Sequence, residues 1–208
     1  MNRIALVRHS HTEYNVIGEK GKFCGSSDPP LTQRGKSESS CIAKALESKN
    51  YRYIISSPLR RAIETAEIIS EQLSLSLKID NRLTEIDYGL WDGLTKKEIE
   101  TKFPDQWKEF KRDPIKNIPP DGEKPENVLK RVKDSISEAF VYKPCIIVSH
   151  KTSLRLFLCW ISGIPLIKYR KFCNLRLASI SYLVFINNEY QIKEINSVKH
   201  LTMIDQLG

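Results

Sequence analysis

Apolar positions along the chain fall into short dense blocks separated by longer stretches with helical spacing. Ile4-Ala5-Leu6-Val7, Tyr53-Ile54-Ile55-Ser56 and residues 144–148 are compact runs, the pattern of strands buried on both faces. Leu77-Lys78-Ile79 offers a shorter strand. Residues 179–186 and 191–195 read as a hairpin around the turn pair Asn187-Asn188. Between these runs the period changes. Cys41, Ile42, Ala43 and Leu46 mark an amphipathic helix over 33–48, with Thr32 as its N-cap. Ala62, Ala66, Ile69 and Leu73 form the inner face of a second helix, opened by Ser57-Pro58 with Pro58 near its first position. Val128, Leu129, Val132, Ile136 and Ala139 give a third over 125–140. The run 154–164 reads as a core helix, closed by Gly163 and Pro165. Strands alternating with helices predict an α/β fold, a three-layer α/β/α sandwich around a mostly parallel sheet. Residues 18–30 read as a long loop. Residues 80–125 are mixed, with helical pieces around 96–111 and the turn-rich run Ile118-Pro119-Pro120-Asp121-Gly122. The stretch at about 86–125 reads as a pocket-shaping insertion within a single domain, 1–208.

Two of the predicted strands finish on the same residue type. Arg8-His9 follows the first, and Ser149-His150 follows the strand at 144–148. Ligands of parallel α/β sheets bind at the carboxyl ends of strands. If these two strands are neighbours, His9 and His150 meet at one site, with Arg8 beside them.

Composition narrows the ligand. Thirty-three Lys and Arg against 25 Asp and Glu give a net charge of +8, which draws anions inward. The positive charges are dispersed and form no dense basic block, so nucleic acid is not expected as a partner. The five cysteines are odd in number and no pair has metal-ligand spacing, so no metal is expected and a reduced, cytoplasmic compartment fits. Cys145 and Cys159 lie in apolar contexts, as buried thiols do. The chain opens on a strand pattern without a basic-then-apolar leader, and no apolar run reaches the roughly 20 residues that span a bilayer, so no membrane association is expected.

Five separated segments together resemble the histidine phosphatase superfamily, which includes phosphoglycerate mutases. They are Leu6-Val7-Arg8-His9 with Thr12 and Asn15; Gly25 with Asp28, Leu31, Thr32 and Gly35; Ser56-Ser57-Pro58-Leu59-Arg60-Arg61-Ala62 with Thr65-Ala66; Leu83-Thr84-Glu85 with Gly89 and Gly93; and Val148-Ser149-His150. The resemblance runs from about residue 3 to 185. It implies a phosphoglycerate mutase-like fold and phosphoryl chemistry on a phosphorylated small-molecule substrate, without a cofactor. By resemblance His9 is the nucleophile that forms a covalent phosphohistidine. Arg8 and Arg61 clamp the phosphoryl group, with Arg61 selected over Arg60 because it directly precedes Ala62. His150 donates to the phosphoryl oxygens and Glu85 is the general acid. Asn15, Thr12, Cys24, Gly25 and Lys151 join them as phosphate- or substrate-binding residues, and Asp87 and Glu123 are lesser candidates for acid work.

The residue types suit that chemistry. Arg offers planar bidentate donors to phosphate oxygens. A neutral imidazole is a competent nucleophile, and nearby arginines favour its neutral form. Phosphoryl transfer is catalysed mainly by positioning and charge stabilisation. Flanking arginines favour a charged carboxylate, whereas a general acid must hold a proton. A bound phosphate dianion would tip that balance back. The chain departs from the family pattern at Ser10, where Gly is usual, with His11 after it, and at Lys151, where Gly or Asn is commoner. Glu85-Ile86-Asp87-Tyr88-Gly89 followed by Leu90-Trp91-Asp92-Gly93 looks more like the phosphatase branch, including α-ribazole phosphatase-like enzymes, than the mutases. The alternatives are a phosphoglycerate mutase-type transfer and a non-catalytic phospho-ligand binding protein. Specificity is expected in the 18–28 loop and the 98–121 insertion. A homodimer through the open edge of the C-terminal hairpin is left open.

Overall fold

The computed structural model describes residues 2–15, 21–141, 144–186 and 189–201. Gly18 and the Asn187-Asn188 turn pair lie outside them. Six strands form one sheet: β1 (Asn2–Arg8), β2 (Tyr53–Ser56), β3 (Ser76–Ile79), β4 (Cys145–Ser149), β5 (Ile180–Ile186) and β6 (Glu189–Ser197), in the order β3-β2-β4-β1-β5-β6. The first four are mutually parallel, and β5 and β6 add an antiparallel edge. The helices are α1 (Gln33–Leu46), α2 (Arg60–Leu73), α3 (Lys96–Lys102), α4 (Pro104–Arg112), α5 (Pro125–Val141), α6 (Lys151–Ile161) and the short α7 (Tyr169–Phe172).

The alternation of β1 explains the layers. Ala5 and Val7 pack with Ile42, Leu46, Ala62 and Ile69 of α1 and α2, while Ile4 and Leu6 pack with Val128, Val132, Leu156 and Phe157 of α5 and α6. β4 divides in the same way, with Ile146 and Val148 on one face and Cys145 and Ile147 on the other. Both faces of the central strands are therefore covered, and the fold is a three-layer α/β/α sandwich. The predicted elements are present, with shifted ends. Helix α1 stops at Leu46 and continues as a 3-10 turn, Glu47–Lys49. Helix α2 opens at Arg60, two residues after Pro58, with Leu59 as its extended N-cap. Thr32 caps α1 by accepting from Gly35 N. Residues 86–125 add a separate aromatic cluster, Trp91, Ile99, Trp107 and Phe110. Among the described residues no helix is long and apolar enough to cross a membrane.

Two glycines of the sequence motif have steric reasons. A Cβ on Gly25 would stand 2.5 Å from the carbonyl oxygen of Ile86, and one on Gly35 would stand 2.2 Å from that of His11. These close approaches bring the 24–28 loop against residues 86–88 and α1 against the segment that follows β1.

Candidate active site

Strands β1 and β4 are parallel neighbours in a register that sets Arg8 opposite Ser149. The next residue of each chain segment is a histidine, so sheet pairing itself brings the two together. His9 stays on the ladder: its N–H donates to Ser149 O at 2.9 Å, and its carbonyl accepts from Ala178 N at 3.2 Å. The imidazole centroids of His9 and His150 are 5.2 Å apart. Both rings are buried.

Hydrogen bonding fixes the proton on each ring. His9 Nδ1 lies 2.9 Å from the carbonyl of Ser10, which can only accept, so Nδ1 carries the hydrogen and Nε2 keeps its lone pair. Burial, then the charges of Arg61 and Arg8, hold His9 well below the ordinary imidazole pKa. His150 Nδ1 accepts from Arg61 Nε at 3.2 Å. In the neutral ring its proton therefore sits on Nε2, 2.7 Å from Ser57 Oγ. Burial and the same arginines also push His150 well down.

Arg61 is buried and its fork is full. Nη1 donates to Ser27 O at 2.6 Å and Nη2 to Gly25 O at 3.0 Å, while Asp28 lies 3.8 Å away. It ties the 24–28 loop to His150. Arg60 points outward and pairs with Glu64 at 2.6 Å. Arg8 differs. One guanidinium nitrogen donates to Leu175 O at 2.7 Å, but its Nε is buried with no partner among the described residues. Burial lowers its pKa to about 10, which still leaves it charged at neutral pH. A buried donor without a partner is one that a bound anion or water would complete.

A cavity of about 620 Å³ opens over His9. Arg8, His9, Asn15, Cys24, Glu85 and Lys151 line it; Arg61, His150, Thr12 and Gly25 do not. Thr12 is fully buried, and its hydroxyl donates to Asn15 Oδ1 at 2.8 Å. It orients the Asn15 amide and does not meet the cavity itself. Gly25 offers its carbonyl to Arg61 and its N–H to Asp92 Oδ1, so it supports the wall from behind. Cys24 lines the cavity with its thiol pushed up to about 11, chiefly by burial. Glu85 is held by the start of α6: Oε1 accepts from Ser153 N and Ile86 N, and Oε2 from Thr152 N at 3.0 Å. Helix N-termini favour such an anion. Arg131 fixes the backbone beneath it, donating to Thr84 O and Glu85 O. Arg131 also takes up Glu123 at 2.7 Å, and Asp87 accepts from Gly89 N; neither carboxylate lines the cavity.

The two sequence departures resolve differently. Ser10 turns away from the cavity, its Oγ 2.8 Å from Ser39 Oγ of α1 and its N–H donating to Thr65. Lys151 faces the cavity. Burial and the neighbouring Arg8 and Arg155 bring its pKa down to about 8.

Several residues in and around the site were not singled out by the sequence. Ser57 was visible only as part of a motif string, and its bond to His150 is a tertiary fact. Arg155 was signalled by a charge inside the apolar run of α6, where it is buried and donates to Cys173 O and Arg170 O. The segment 169–177 supplies Tyr169, Arg170 and Arg176 to the wall, but being mostly irregular it has no periodicity to read. Of the expected specificity segments, the first contributes Gly21, Lys22, Phe23 and Cys24 and the second contributes Phe110.

With this geometry in place, comparison with known proteins is decisive at the family level. The model of the histidine phosphatase superfamily (branch 1) matches residues 4–198. The chain belongs to this family. It is 31% identical to phosphoserine phosphatase 1 of Hydrogenobacter thermophilus over 97% of this chain and 95% of the relative. It is also 31% identical to the probable phosphoglycerate mutase GpmB of Proteus mirabilis, over 98% and 97% of the two chains. Among solved structures, YhfR of Bacillus stearothermophilus superimposes with a TM-score of 0.89 at 25% identity, covering 97% of this chain and all of that one. The α-ribazole phosphatase of Shigella flexneri does so with 0.83 at 25% identity, covering 94% and 96%.

Proposed function

We propose that the protein is a phosphomonoester phosphatase that hydrolyses a small phosphorylated metabolite through a phosphohistidine on His9. The observation that carries this reading is that His9, neutral and with its Nε2 lone pair free, lines one cavity together with Arg8 and Glu85. In the first step Nε2 attacks phosphorus, the ester P–O bond breaks, and the leaving oxygen takes a proton from Glu85. Oε2, which has one partner against several on Oε1, is the oxygen suited to carry it. In the second step Glu85 receives the proton of a water that attacks phosphorus, the P–N bond breaks and phosphate leaves. Arg8 and Asn15 contact the phosphoryl oxygens. Arg61, bonded to the neutral His150 ring beside His9, keeps His9 neutral and supplies positive potential. The route uses side chains alone, without a metal or cofactor.

The phosphatase reading is favoured over a mutase because a mutase must keep water from its phosphoenzyme, and this cavity is broad and lined by many charged groups. Phosphate release from a panel of phosphomonoesters, measured beside interconversion of 2- and 3-phosphoglycerate, separates the two. Release should exceed interconversion; efficient interconversion with little release would overturn the phosphatase reading.

A further inference from the structure

Beyond the phosphoryl pole, the cavity carries more positive charge than one phosphate requires. Lys151 and Arg155 from α6 and Arg170 from α7 line it. None of them forms a salt bridge among the described residues. The carboxylates that share the lining are already engaged. Glu85 is turned onto the amides of Thr152 and Ser153, and Glu38 accepts from His11 N and pairs with Arg34. Arg155 is locked by backbone carbonyls, and the Arg170 guanidinium lies 4.5 Å from the centroid of Phe110. These two arginines supply a fixed positive field. Lys151 is the flexible cation within it, on the residue directly after His150. Glu85 offsets part of this charge at Lys151, but Arg8, Arg155 and Arg170 all act against it. Such an excess of like charge is destabilising unless a ligand neutralises it.

We propose that Lys151, backed by Arg155 and Arg170, is a second anion-binding point in the cavity, so that the substrate is a small phosphomonoester bearing a further carboxylate or phosphate. This rests on the phosphatase reading and names its substrate class. Lys151 acts by binding the non-reacting end of the substrate, which orients the phosphoryl group on His9. The lowered pKa of Lys151 accords with this, because an anion seated there would restore the stability of its charged form.

The test compares matched esters on the intact enzyme. 3-Phosphoglycerate and glycerol 3-phosphate differ by a carboxylate in place of a hydroxymethyl group. Fructose 1,6-bisphosphate and fructose 6-phosphate differ by a second phosphate. At least one pair should show kcat/KM higher for the doubly anionic member by roughly 10- to 100-fold, the range of a charge-assisted hydrogen bond. The pair that does so tells carboxylate from phosphate. Lys151→Met should bring that ratio to within about threefold of unity by raising KM for the doubly anionic ester, and Lys151→Arg should retain it. Equal hydrolysis of both members of each pair, or a preference that survives in Lys151→Met, would overturn the second site while leaving the phosphatase reading intact. Absence of hydrolysis with every ester, 4-nitrophenyl phosphate included, would overturn both.

Discussion

At the scale of single residues, the site depends on two imidazoles kept neutral inside a positive environment. Each owes its tautomer to one neighbour: a backbone carbonyl for His9, the Arg61 guanidinium for His150. Both have pKa values well below the ordinary value near 6.5. Two expectations follow from the direction of these shifts. NMR titration should find both rings neutral at pH 6.5, and a midpoint at or above that pH for either would contradict the account. Stability is linked to the same groups. An unfolded chain takes up protons at these histidines as pH falls below about 6.5, while the folded chain resists, so stability is complete above that pH and declines beneath it. Urea unfolding at pH 7.5, 6.5 and 5.5 should show the decline, at up to about 1.4 kcal/mol per pH unit for each ring. Replacing His9 by Asn should make the slope shallower. A slope unchanged by that substitution would show that His9 titrates normally.

At the scale of elements, the site is built where β1 and β4 end and the starts of α1 and α6 close around them. Gly35 illustrates how tightly these parts fit. A glycine inside a helix is ordinarily less favourable than alanine by about 1 kcal/mol. Here the added methyl would meet the carbonyl of His11 at 2.2 Å. Gly35→Ala should therefore destabilise the fold, by roughly 1–3 kcal/mol, as overpacking does. A raised urea midpoint would contradict this. Strands β1, β2 and β4 and helices α1, α2, α5 and α6 were legible because period and end signals are local properties of the chain. Helix boundaries were less so: Pro58 begins the turn before α2, because the capping geometry there belongs to Leu59 and the strand-to-helix corner. His9 and His150 were legible as a pair because strand adjacency places both at one edge. Ser57, Arg155 and the segment 169–177 were not, since their roles arise from packing between distant parts of the chain.

At the scale of the whole molecule, the sandwich does two things for the chemistry. Its parallel core fixes His9 and His150 with backbone hydrogen bonds, and segments 21–28, 86–125 and 169–177 raise a wall around them in which Lys22, Arg170 and Arg176 are charged. Positive charge is also spread across the cavity. Arg8 and Arg61 act on His9, and Lys151, Arg155 and Arg170 belong to the rest of the positive surroundings of the cavity. Such a field draws an anionic ester in. The same arrangement accounts for the family resemblance of the floor and for the individual character of the wall, where Lys151 replaces a residue that is commonly Gly or Asn.

The central claim is that His9 becomes covalently phosphorylated during turnover. Rapid mixing of enzyme with an excess of a hydrolysed phosphomonoester, an alkaline quench to preserve the acid-labile P–N bond, and peptide mass spectrometry would locate the phosphoryl group. The account predicts a phosphoryl adduct on His9 that forms and decays at rates consistent with kcat, and no adduct or turnover in His9→Ala. A phosphoryl group found on another residue, or turnover undiminished in His9→Ala, would contradict it.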